Sequence, residues 1–137
     1  MYLLVYKFGG SSVADAAGLR RAAEQLAAAA AAGHHIIAVV SAQGKTTDRL
    51  LQSTAELTPH PSCRETDQLL ATGEQASAAL LTITLQEMGL PAVSLTGSQA
   101  GIHTDGNYGA AEITALHRRR ILRELEAGNI VVTAGFQ

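Results

Sequence analysis

The sequence predicts an α/β domain with a mostly parallel central sheet. Three observations carry that expectation: short apolar runs alternate with longer stretches of helical periodicity, one of those runs is a nearly continuous β-branched segment, and each run ends in a polar or glycine-bearing turn. At 137 residues the chain forms one domain at most, and burial of roughly 68% of the unfolded surface is expected at this size.

The first strand is read at Leu3, Leu4, Val5 and Tyr6, as a buried segment. Lys7-Phe8-Gly9-Gly10-Ser11-Ser12-Val13 then passes straight into a helical pattern, which puts the glycines in a strand-to-helix turn. A helix is predicted over residues 12–32, with Leu19, Ala23, Leu26, Ala27 and Ala30 on one face and Gly33 as its stop. The alanine run at residues 27–32 is helix-forming and small, which suits a helix lying close on a sheet, so no linker is implied. Residues 35–41 make the second strand, buried on both faces because Ile36, Ile37, Val39 and Val40 are nearly continuous.

A polar turn over residues 42–46 leads to a short helix near residues 47–57, ended by Pro59 and Pro61. Residues 62–88 read as helical, interrupted or restarted near Thr72-Gly73-Glu74. The second half, with Ala76, Ala79, Leu80, Leu81, Ile83 and Leu85 apolar almost all round, is expected to be buried. Gly89 and Pro91 close it. The pattern then gives a third strand at residues 92–95, a polar loop at 96–108, a helix at 110–127 closed by Gly128, and a fourth strand at 130–134. Because α/β folds place functional loops at strand ends, a chain that closes on Thr133-Ala134-Gly135-Phe136-Gln137 is expected to be the N-terminal part of a longer protein.

Composition narrows the function classes. Hydrophobic residues make up 47% and charged residues 16%, which describes a folded rather than a disordered chain. The net charge of −2 sets up no strong field, and the one basic run, Arg118-Arg119-Arg120 with Arg123, shares its predicted helix with Glu112, Glu124 and Glu126. That run reads as a solvated face, so no nucleic-acid partner is expected. Cys63 is the single cysteine, which excludes an intrachain disulfide or a thiolate cluster and fits a cytoplasmic location. Lys7 interrupts the N-terminal apolar run after five residues, so neither a signal peptide nor a membrane span is expected.

Gly44-Lys45-Thr46 follows a strand, but a P-loop needs a glycine where Val39 stands. A dinucleotide fingerprint fails too, because Gly9-Gly10 lacks the third glycine and the second strand ends at Ser41 instead of an acidic residue. The plain reading of Gly9-Gly10 is a tight turn needing positive φ. The functional reading adds Lys7: glycines let the main chain approach an anion, the helix dipole supplies partial positive charge, and the lysine a full one. A lysine in an apolar strand loses solvation unless it faces a cavity or an anion, which points to nucleoside triphosphate chemistry. Glu74 reads equally well as a helix-opening carboxylate. His103, Thr104 and Asp105 offer too few ligands for a metal site, and His34 and His35 merely follow a helix end.

The opening Lys7-Phe8-Gly9-Gly10-Ser11-Ser12-Val13 closely resembles the signature of aspartate kinases, within the wider amino acid kinase family. Further blocks agree in order: Val39-Val40-Ser41-Ala42 with Lys45-Thr46-Thr47-Asp48, Thr72-Gly73-Glu74-Gln75, Ser94-Leu95-Thr96-Gly97 with Gln99-Ala100-Gly101-Ile102 and Thr104-Asp105, and Ala134-Gly135-Phe136-Gln137. The resemblance spans the whole chain. It implies a three-layer α/β/α sandwich, incomplete here, and ATP-dependent phosphorylation of the side-chain carboxylate of L-aspartate to 4-phospho-L-aspartate, the first step toward lysine, threonine and methionine, with Mg2+ accompanying ATP.

By similarity Lys7, Gly9, Gly10 and Ser12 would hold the phosphates and the transferring group, with Lys7 as the catalytic residue. Ser41 and Thr47 would frame the amino acid, and Glu74 would hold its ammonium. No metal ligand is assigned. The nucleotide-binding half, the substrate-carboxylate arginine and the regulatory domains would lie beyond Gln137, so residues 1–137 alone are expected to be inactive and the parent protein homo-oligomeric. Ser11 stands where the family more usually has threonine. Two other readings are a relative acting on glutamate or a carbamate-like acid, and a non-catalytic anion-binding or interaction module that keeps the half-fold.

Overall fold

The computed structural model describes residues 1–136. In chain order the elements are β1 (Leu3–Phe8), α1 (Ala16–Ala31), β2 (His35–Val40), α2 (Thr46–Leu57), α3 (Cys63–Glu87), β3 (Ala92–Leu95), α4 (Gly97–Ala100), β4 (Ile102–Thr104), β5 (Ile113–Leu116), α5 (Arg119–Glu126) and β6 (Ile130–Ala134). The four strands anticipated from the short apolar runs pair in the order β1-β2-β6-β3, all parallel, while β4 and β5 form a separate antiparallel pair. The expected α/β fold with a mostly parallel sheet is therefore the observed one.

Alternation along each strand sorts the helices into layers. Phe8, Ile36, Ala38, Val40 and Val132 point to one face, where they pack with Leu19, Ala23 and Leu26 of α1 and Ala78, Leu81 and Leu85 of α3. Val93, Leu95, Val131 and Ile37 point to the other, against Ala100 of α4 and Ile121 and Leu125 of α5. The result is α/β/α. The second face is covered only in part, because Leu3 and Val5 on the edge strand β1 are 52% and 63% exposed. None of the described helices is long and apolar enough to cross a membrane.

Several sequence expectations change, each for a local reason. The strand at residues 3–6 is buried on one side only, since β1 is an edge strand with an alternating exposure pattern. Helix α1 starts later than residue 12, because Asp15 is its N-cap: the carboxylate accepts from the Gly18 amide at 2.8 Å, leaving residues 9–14 as a loop. Gly33, at φ +81°, ends the chain's first helix as expected.

Helix α3 runs unbroken through Thr72-Gly73-Glu74, so Glu74 sits inside a helix rather than opening one. Gly73 is there for packing, since a Cβ on it would lie 3.1 Å from Thr46 Cγ2 and 3.2 Å from Ala42 Cβ. The second half of α3 is not buried all round, for Ala76, Ala79, Leu80 and Ile83 are exposed. The loop expected at 96–108 contains α4, closed by a Thr96–Gln99 capping box, and β4. The helix expected at 110–127 begins only at Arg119, because Ile113–Leu116 pairs with Ile102–Thr104 instead. Glu112 accordingly lies outside the helix that carries Arg120 and Arg123.

Candidate functional site

In a parallel sheet all strands end on one edge, so the loops after β1, β2 and β6 emerge side by side. The loop after β1 carries Gly9, Gly10, Ser11 and Ser12. It is tied to the loop after β2 by the Ser41 amide donating to the Phe8 carbonyl at 3.1 Å and the Gly44 amide to the Gly10 carbonyl at 2.9 Å. Gln43 Nε2 reaches across to the Val13 carbonyl at 2.7 Å. The structure thus brings the first two predicted segments into one unit.

The two glycines have different causes. Neither has positive φ, so the turn itself does not demand them. A Cβ on Gly10 would stand 2.7 Å from the Ala42 carbonyl oxygen, so this glycine lets the two loops approach. Gly9 meets nothing within 4 Å of its Cβ position. Packing explains Gly10 and leaves Gly9 without a role in the fold. Neither the Gly9 nor the Gly10 amide donates a hydrogen bond among the described residues. Two amides without a hydrogen-bond partner among the described residues stand at a strand end two residues from a lysine, with open space around Gly9, an arrangement that accepts an anion.

Lys7 lies one residue before the last of β1 and shares a rung with Val39, Thr133 and Leu95. Rung partners point to the same face, so its side chain stands on the half-covered face. It is exposed there, not buried as an apolar-strand lysine was expected to be. Its place at a strand end survives that correction. Thr133 on the same rung is 5% exposed, and its hydroxyl has no hydrogen-bond partner among the described residues. Ser12 is exposed, its amide donating to the Gly9 carbonyl at 3.0 Å to close the turn.

Ser41 directly follows β2 and Thr47 sits in the first turn of α2; both are half-buried. Glu74 joins them from α3. Its Oε2 accepts from the amides of Gly135 and Phe136, both at 2.9 Å, which anchors the loop after β6 to α3. The Gly135 amide also donates to the Val40 carbonyl at 2.9 Å, so strands β2 and β6 and helix α3 meet at one point. Gln137 lies outside the described residues.

Sequence reasoning missed the glycines that set this geometry. A Cβ on Gly18 would stand 2.6 Å from the Ser12 carbonyl oxygen, and one on Gly135 3.1 Å from Glu74 Oε2. Close approaches between segments distant in sequence leave no local signal. Asp15-x-x-Gly18, a cap followed by a small residue, was the one legible trace.

Comparison with known proteins gives a consistent result. The model of the amino acid kinase family matches residues 3–137. Over 137 residues the chain is 47% identical to an aspartokinase of Geobacillus stearothermophilus and 47% identical to aspartokinase 2 of Bacillus subtilis, covering all of this chain and 34% of each relative. The chain thus spans about a third of the length of these relatives. Among solved structures, aspartate kinase from Synechocystis superimposes with a TM-score of 0.84 at 42% identity, covering 98% of this chain and 22% of that one. Aspartokinase III of E. coli, in complex with aspartate and ADP, superimposes at 0.80 with 23% identity over 99% of this chain and 41% of that one, a likeness of fold.

Proposed function

The chain belongs to the amino acid kinase family, and from that premise we propose that it supplies the phosphoryl- and aspartate-binding part of an aspartate kinase. Transfer of a phosphoryl group asks little covalent chemistry of the protein; it needs donor and acceptor held in line and the charge on the migrating group stabilised. The observation that carries the reading is Gly9, a glycine that neither backbone angle nor packing requires, beside unpaired amides and Lys7. There the terminal phosphate of Mg-ATP approaches the main chain, and Lys7 offsets charge as the bond breaks. Ser12 adds a hydroxyl donor at the same turn.

The acceptor is the side-chain carboxylate of aspartate. One carboxylate oxygen forms the new bond to phosphorus as the bond to the bridging oxygen of ADP breaks, so no general base is required. Ser41 and Thr47 supply hydroxyls to orient the amino acid. Glu74 Oε2 already accepts two amides, and the other oxygen is the group available to the substrate ammonium. The adenine-binding residues are not among those assigned here, and residues 1–137 alone are proposed to be inactive.

A chimera tests this directly: the present chain replaces the matching third of the Geobacillus aspartokinase. ADP release matched one-to-one by an acyl phosphate, trapped as its hydroxamate with hydroxylamine, is the expected result with aspartate. Equal turnover with glutamate, or ADP release independent of aspartate, contradicts the assignment.

A further inference from the structure

A sizeable cleft lies away from the strand-end loops. It lies between α4, the end of β5 and the start of α5, has a volume of about 680 Å³, and is lined by Arg118, Arg119, Arg120 and Arg123 with His117 and Gln99. That size is in the range of small-ligand pockets, and half of its lining residues are arginines. The basic run that reads from sequence as a solvated face therefore surrounds a recess.

The charges in this recess are not balanced internally. Among the described residues Glu124 is the one carboxylate that pairs with them: Arg120 Nε donates to its Oε1 at 2.6 Å, and Arg123 Nη2 lies 3.8 Å from the same oxygen. The Arg120 hydrogen bond, reinforced by Asn129 and the Arg123 charge, holds the Glu124 carboxyl below the usual carboxylate range despite its desolvation. Glu124 thus engages Arg120 through Nε alone, and the terminal nitrogens of Arg120 have no ion-pair partner among the described residues. Arg118 and Arg119 have no ion-pair partner among the described residues. Four arginines thus line the recess against one carboxylate. Arg118, Arg119 and Arg120 crowd the start of α5, whose macrodipole is positive at that end and whose N-cap, Arg118, makes no side-chain cap, while Arg123 lies in its last turn. The sequence concentrates like charge where the backbone already repels it, and a bound anion relieves both.

We propose that this cleft binds a small polyanion carrying two or more phosphate groups, at a site separate from the Gly9-Gly10 loop. Forked guanidinium donors match phosphate oxygens in pairs, and three or four of them exceed the needs of a single carboxylate. A nucleic acid is disfavoured because no Tyr or Phe lines the cleft for base stacking, His117 is already edge-on to His103 at 4.8 Å, and the chain as a whole carries a net charge of −2.

The test titrates the full 137-residue chain with inorganic tripolyphosphate and follows backbone amide shifts and binding heat. Shifts at Gly101 and residues 117–123 are expected, separate from any at the Gly9-Gly10 loop, with the affinity read from them falling tenfold or more in Arg118→Ala/Arg119→Ala and less in Arg118→Lys/Arg119→Lys, which keeps charge but loses the fork. Both residues are exposed, so these variants retain the fold, checked by circular dichroism. Arg49→Ala, an exposed cation on α2 outside the cleft, leaves the binding unchanged. Unaltered affinity in the double alanine variant, shifts scattered over other basic residues, or shifts at Gly9 and Gly10 with none at residues 117–123 overturn the proposal. So does an oligonucleotide that binds tighter than tripolyphosphate with shifts extending outside the cleft.

Discussion

Glu74→Ala in the chimera is expected to raise the KM for aspartate about 10- to 100-fold, the loss typical of a hydrogen bond to a charged group. It also lowers stability by about 1–3 kcal/mol, because the Gly135 and Phe136 amides lose the oxygen that accepts them both. Glu74→Gln separates the two roles. Its amide oxygen still accepts from Gly135 and Phe136, so the melting temperature stays near that of the parent, while the charge that attracts an ammonium is gone. A purely architectural Glu74 predicts the opposite pattern, with the glutamine variant normal in both KM and melting temperature. Steady-state kinetics and thermal unfolding on the same three proteins distinguish them.

A matched pair at the strand-end loop separates packing from phosphate approach. Gly10→Val places a branched side chain 2.7 Å from the Ala42 carbonyl oxygen and 3.4 Å from the Gly44 amide nitrogen, both backbone atoms that cannot rotate away. Overpacking of this kind costs about 1–3 kcal/mol. A fall of several degrees in melting temperature is expected, at about 2–8 °C per kcal/mol for domains of this size range. Gly9→Ala meets no atom within 4 Å and lies at negative φ, so its stability should change by less than about 0.5 kcal/mol. Turnover by the chimera should nevertheless fall with Gly9→Ala, because the new methyl group occupies the approach to the amides. A Gly9→Ala chimera with full turnover removes that glycine from phosphoryl binding.

Much of the fold was legible because its strands are short apolar runs flanked by glycine, two of them rich in β-branched residues. Residues 92–95 and 130–134 are strands at the expected bounds, and Gly33, Gly89 and Gly128 all take positive φ after helices. The β4–β5 pair was not legible. Ile113-Thr114-Ala115-Leu116 is set among alanines and charged residues that favour helix, and only its pairing with Ile102–Thr104 decides for strand. Gly73 misled in the other direction: a residue that usually interrupts a helix is kept in α3 by the close contact with Thr46 and Ala42.

At the site, Lys7, Gly9 and Gly10 stood out by residue type and order, and the structure groups their loop with Ser41. The reason given for Lys7 changes, since it is exposed on an edge strand and the cost of burying a charge does not apply to it. Its position rests instead on the rung it shares with Val39 and Thr133 near the C-terminal ends of the strands. The anchoring of the loop after β6 by Glu74 was invisible in the sequence, because its partners Gly135 and Phe136 lie more than sixty residues away.

The most direct measurement is single-turnover phosphoryl transfer by the chimera with Lys7→Ala, at saturating aspartate and Mg-ATP. Loss of a preorganised donor to the migrating group typically costs about 10²–10³ in rate, and a fall of that size with unchanged melting temperature and aspartate KM is the result expected. A rate within threefold of the parent chimera places the lysine outside the reaction and contradicts the assignment of this loop.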